Sequence, residues 1–149
     1  MTAVLIPITR RQRRRRSAGQ ALVEFALAIP IFVFLLFGLI DLGRLVYINN
    51  ALAEAAREGA RWGSVQGRSG TAAGMTSIAS YTAGMLAAVP SPTVTVTCQD
   101  RNLNPVATCR TDYFLSVQVS SQVSMFTPVI AGLVGTNTYS ATSKVTVNQ

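Results

Sequence analysis

The hydrophobic rhythm of this chain changes along its length, and each change predicts an element. Residues 21–40 are almost continuously apolar: fourteen of the twenty are Leu, Ile, Val or Phe, and Glu24 is the one charge among them. Twenty residues of helix measure about 30 Å, the thickness of a bilayer's hydrocarbon core. At roughly −0.3 to −0.6 kcal/mol each, the fourteen apolar side chains contribute about −4 to −8 kcal/mol to insertion, against about +3 for one buried acid. The segment is therefore predicted to insert despite Glu24. Pro30 removes the hydrogen bond to the Ala26 carbonyl and predicts a kink, which a helix in lipid tolerates.

Beyond the span the pattern becomes amphipathic. Leu45, Ile48, Leu52, Ala55, Gly59 and Trp62 recur by threes and fours, while Glu54, Arg57, Glu58 and Arg61 take other faces. This predicts one long helix from about Gln20 to Gly63, with weak surface pairs such as Glu58–Arg61. Ala55, Gly59 and Gly63 recur every fourth position and admit a close neighbour, for which a sheet of the same chain is preferred over another subunit. Gln66 to Gly70 reads as a loop. Ala72, Met75, Ile78, Ala79, Met85 and Leu86 fit a second helix stopped before Pro90 and Pro92, with Met75 and Met85 as core filler. From Thr93 the period becomes two. Val94, Val96 and Cys98 alternate with threonines; Leu115, Val117, Val119 and Val123 alternate with Ser and Gln; Ala141, Ser143, Val145 and Val147 form a weaker run. These predict three antiparallel strands with one buried and one polar face. Asp100–Thr108 is then a surface loop. Phe126 to Val134 is an apolar stretch that either packs on the helix or touches the bilayer.

Charge changes the picture only once it is located. Six of the thirteen basic residues, Arg10, Arg11 and Arg13 to Arg16, precede residue 17. Without residues 1–19 the chain carries seven basic and six acidic residues, a net of 7 − 6 = +1. An arginine tract next to a membrane segment is a topology signal rather than a nucleic-acid site, because arginines are held on the cytoplasmic side. Arg13, Arg14, Arg15 and Arg16 thus predict an N-terminus inside and a domain outside. Cys98 and Cys109 then lie where disulfides persist, and their short spacing favours a bridge at the base of the Asp100–Thr108 loop. Closing that loop stabilises the domain by about 3 kcal/mol in the chain-entropy picture.

One constellation exceeds what an anchor needs: the arginine block, then Gly19-Gln20-Ala21-Leu22-Val23-Glu24-Phe25-Ala26-Leu27, then Pro30, then Phe37-Gly38-Leu39-Ile40-Asp41-Leu42-Gly43-Arg44. It resembles the TadE family, pseudopilins or minor pilins of the tight-adherence (Tad, Flp or type IVc) pilus system. Ala55-Ala56-Arg57-Glu58-Gly59-Ala60-Arg61 is similar to that family's second block. The likeness is strong over residues 14–63 and holds only in outline beyond. It implies a prepilin-peptidase cut between Gly19 and Gln20, with Glu24, the fifth mature residue, needed for processing or assembly. It also implies other pilins and the Tad inner-membrane assembly platform as partners, beside membrane lipid. Physically, Glu24 is either a residue snorkelling to the headgroups or a buried counter-ion for a neighbouring helix's terminal ammonium. That pair forms only at the right axial stagger, so it would set register. Gln20 departs from the Phe or Met common after such cuts, and its cyclisation to pyroglutamate would remove the ammonium.

Enzymatic chemistry finds little support. The chain has no histidine, two cysteines alone do not complete a tetrahedral metal site, and phosphate-cradling glycine patterns are missing. Asp41, Glu54, Glu58, Asp100 and Asp112 show no paired spacing, and Lys144 reads as a solvated residue on a strand. No cofactor, no metal and no nucleic-acid partner is expected. The predicted architecture is α+β and pilin-like: a cleaved basic leader (1–19), a transmembrane and assembly helix (20–43), and an extracytoplasmic domain (44–149) with a second helix and a small antiparallel sheet. The competing reading is a bitopic envelope protein whose outer domain binds a ligand without joining a pilus. Release by ordinary signal peptidase, with Ala53-Glu54-Ala55 as the site, fits poorly because that site lies thirteen residues beyond Ile40.

Overall fold

The computed structural model describes residues 10–66, 70–127, 132 and 135–147, with side chains from Gly19 onward. The side chains of Arg13–Arg16 and most of the apolar stretch 128–134 lie outside the described residues. Two compact units divide at residues 39 and 40.

The first unit, Met1–Leu39, contributes the beginning of helix α1, which runs from Arg10 to Val65. The expected start at Gln20 is corrected: the helix begins ten residues earlier. Arg, Gln and Ala are good helix formers, and between Pro7 and Pro30 no proline interrupts them. A helix nucleated by the apolar run therefore propagates back into the basic segment. It also continues through Pro30 without a break. From Gly19 to Leu39 every side chain but the intermediate Gly38 is exposed. The helix from Gly19 is long and apolar enough to cross a membrane once.

The second unit, Ile40–Gln149, holds the hydrophobic core. The rest of α1 buries Ile48, Leu52, Ala55 and Gly59 of the predicted stripe, together with Ala56 and Ala60, while Leu45 and Trp62 are partly buried. Helix α2 (Ala72–Gly84) starts at Thr71, whose hydroxyl accepts the Gly74 amide at 3.0 Å and so satisfies one of the free N–H groups of the first turn. It buries Gly74, Ile78 and Thr82. Four strands follow: β1 (Pro92–Gln99), β2 (Pro105–Val106), β3 (Phe114–Val123) and β4 (Asn137–Thr146), in the antiparallel order β2-β1-β3-β4. The register lines up Val94, Val119 and Ala141; then Val96, Val117 and Ser143; then Cys98, Leu115 and Val145. Residues directly opposite share a face, so these rungs make the apolar side of the sheet. Thr93, Ser120 and Ser140 begin the polar side. Gly135, at φ +69°, supplies the left-handed residue just before β4. The α+β class predicted from the pattern is thus the observed one.

Several local expectations are corrected. Met85 is exposed rather than core filler, because α2 ends at Gly84 and the chain turns there. The Asp100–Thr108 loop contains β2, which pairs Val106 with Cys98. The small-residue stripe meets α2 as well as the sheet: a Cβ on Gly59 would overlap the Thr82 hydroxyl, and one on Gly63 would lie 2.6 Å from Leu115 Cδ2 and 2.7 Å from Ile78 Cδ1. Lys144 is not merely solvated. Its Nζ donates to Gln99 Oε1 at 3.0 Å, reaching across β3 above Ser116. The Cys98–Cys109 disulfide is present, with Cα atoms 5.2 Å apart and both cysteines buried.

Candidate functional site

Candidate chemistry lies at two points on α1. At the first, Gly19, Gln20 and Glu24 are all exposed on the helix surface. Gln20 and Glu24 stand four residues apart, hence on one face and about 6 Å apart along the axis. Among the described residues Glu24 has no ion-pair partner. The peptide bond between Gly19 and Gln20 lies within helix, so any protease acting there must first unwind a turn.

The second point was not recognised from the sequence. Asp41 is buried, and its carboxylate faces the segment that follows β3. Oδ1 accepts the Phe126 amide at 3.1 Å; Oδ2 accepts the Thr127 amide at 3.0 Å and the Thr127 hydroxyl at 2.6 Å. One turn along α1, Arg44 Nη1 donates to the Ser124 carbonyl at 3.0 Å. The same guanidinium lies 4.5 Å from the centroid of the Phe126 ring, a cation–π contact. Two side chains of α1 therefore clamp residues 124–127, where the chain has left the ladder and its backbone groups need new partners. The signal for this was available. Asp41, Leu45, Ile48 and Leu52 are spaced four, three and four, so Asp41 falls on the core stripe, where a carboxylate must find donors.

Elsewhere the polar groups are engaged locally. Trp62 stacks on Tyr81 at 4.6 Å between ring centroids and 11° between planes. Glu54–Arg57 and Glu58–Arg61 pair at 3.8 and 3.5 Å along α1, as the spacing predicted for the second. Arg101 pairs with Asp112 across the base of the disulfide loop. Asp100 accepts the amides of Asn104 at 2.8 Å and Asn102 at 2.9 Å, and the Asn104 hydrogen bond is the main force holding its carboxyl below the usual range. Among the described residues no group of three or more His, Cys, Asp or Glu is placed to hold a metal ion.

The model of the TadE-like protein family matches residues 19–61. This stretch is a TadE-like segment. No curated protein and no solved structure matches the chain. Over that stretch the chain is similar to TadE-like proteins. The matched span opens at Gly19 and closes at Arg61, so it contains Glu24, both clamp residues and Gly59. The sheet and α2 lie outside it, although Asp41 and Arg44 of the TadE-like segment hold residues 124–127.

Proposed function

We propose that this chain is a TadE-like minor pilin or pseudopilin. A prepilin peptidase hydrolyses the Gly19–Gln20 bond and removes the basic leader, and the product acts in assembly of a Tad or Flp type pilus for surface adhesion. The supporting observation is that the TadE-like match, residues 19–61, takes in the Gly19–Gln20 bond, Glu24 and the exposed apolar side chains of α1 from Leu22 to Ile40. In this reading Arg13–Arg16 keep the leader in the cytoplasm, and the second unit lies outside. The mechanism is association rather than catalysis. The apolar helix packs among other pilins and the assembly platform, while the α+β head caps or tunes the assembly. Glu24 supplies the carboxylate that a neighbouring helix's N-terminal ammonium meets at one axial stagger.

The test is the mature N-terminus, read by intact and peptide mass spectrometry on membranes of the native host and of a strain lacking its prepilin peptidase. A start at Gln20 that reverts to the uncut leader in the mutant supports the pilin route. An uncut leader in both strains overturns it and leaves a bitopic envelope protein with an outer domain.

A further inference from the structure

The clamp sits at a particular height on α1. The apolar run ends at Ile40, and Arg44 lies four residues on, about 6 Å along the helix axis. The headgroup layer of one leaflet is itself roughly 5–7 Å deep. If α1 spans the bilayer, Asp41 and Arg44 therefore hold residues 124–127 within that layer. The exposed groups there suit it. Ile40, Arg44 and Tyr47 are spaced four and three and neighbour one another on the helix surface. Ile40 is 51% exposed and Tyr47 54%. Phe126, whose ring packs on Arg44, is 68% exposed, while its neighbour Thr127 is buried against Asp41. A large aromatic ring held out into solvent by a buried anchor is costly in water. At a membrane interface aromatic rings and a snorkelling arginine are the favoured combination.

We propose that the turn clamped by Asp41 and Arg44 is a lipid contact: Phe126, with Ile40 and Tyr47, seats in the outer interface of the bilayer, with Arg44 at headgroup level. The occupant is lipid rather than a second protein because Ile40, Arg44 and Tyr47 follow the lipid-length apolar run directly in sequence and the patch carries the aromatic and cationic groups of an interface. The head domain is then attached to the membrane at two places, through the helix and through residues 124–127. This contact rests on the membrane-spanning reading of α1.

The chain has one tryptophan, Trp62, so a single reporter is easily placed. The full-length W62F/F126W protein is reconstituted in phosphatidylcholine–phosphatidylglycerol vesicles whose acyl chains are brominated at defined depths, beside W62F/I40W as a report on the helix. Tyr47→Trp in the same background reads the patch again should F126W fold poorly. The expected result is blue-shifted emission at position 126, lost most strongly with bromines close to the headgroups. Loss at position 40 with none at 126 or 47 overturns the lipid contact and leaves the spanning helix intact. Blue-shifted emission at 126 that brominated lipid does not quench means protein covers the ring, a second copy included, and also overturns it. No loss at any position overturns both the contact and the membrane-spanning reading.

Discussion

The carboxylate of Asp41 accepts both the hydroxyl and the amide of Thr127, at 2.6 and 3.0 Å, across 86 residues of sequence. A carboxylate offers only acceptors, which suits a site presenting three donors. Asparagine has the same shape but turns one oxygen into an NH2 group facing those donors. Asp41→Asn and Asp41→Ala are therefore expected to destabilise the outer domain by about 1–3 kcal/mol, since they strand buried donors. Thr127→Val removes one bond of the three and costs less. Urea unfolding of the detergent-solubilised protein measures the loss, and faster hydrogen exchange at the Phe126 and Thr127 amides locates it. Unchanged exchange in Asp41→Asn would mean the clamp contributes nothing.

Gly59 of α1 packs closely against Thr82 of α2. Alanine at 59 gains roughly 1 kcal/mol of helix propensity, yet its Cβ would overlap the Thr82 hydroxyl, which is tied to the Ile78 carbonyl at 2.8 Å. Overpacking of this kind costs about 1–3 kcal/mol, so Gly59→Ala is expected to destabilise on balance. Adding Thr82→Ala removes the obstacle, and the pair should be less destabilised than the sum of its single changes. A thermal double-mutant cycle reads this coupling, and simple additivity would show that the approach is not tight.

These two contacts also show what the sequence made legible. The period of three and four found Ile48, Leu52 and Ala55 because burial of an amphipathic face is a local, repetitive property. The period of two found β1, β3 and β4 for the same reason. Asp41 went unread because a charged residue is habitually assigned to solvent, while the donors that make its burial tolerable come from a segment 85 and 86 residues away. Strand β2 escaped because two residues carry no period at all, and its partner strand supplies the reason it exists. Met85 misled because an apolar residue past the last helical turn has no face to belong to. At the junction, Gly19, Gln20 and Glu24 were readable as a motif, but the helix through them follows from propensities that a cleavage signal hides.

The Asp100 turn gives a pH dependence. Its carboxylate is stabilised in the charged form first by the Asn104 amide and then by the Asn104 side chain and Asn102 amide, so its folded pKa lies below the unfolded value. A depressed carboxylate contributes stability that is present above the unfolded value, about 3.9, and is lost as pH falls through the folded value. The Asn102 and Asn104 amide resonances are thus expected to hold steady from neutral pH down to about 4 and to shift below it. Asp100→Asn should flatten that response, and an identical titration in the variant would assign it to another group.

Glu24 provides the sharpest test of assembly. In the single chain it is exposed and, among the described residues, without an ion-pair partner, so removing it leaves the fold of the head untouched. In a packed bundle its loss would leave a neighbouring ammonium buried alone, at a cost of about 3–5 kcal/mol. Glu24→Ala is accordingly expected to yield a folded, membrane-inserted protein whose pilus-associated fraction drops by at least about tenfold. Glu24→Asp, keeping the charge on a shorter arm, should retain part of the association. Immunoblotting of sheared surface fibres against the membrane fraction measures both. Wild-type incorporation of Glu24→Ala would assign the residue to headgroup snorkelling alone, and a mature terminus found as pyroglutamate would remove the ammonium from the pair.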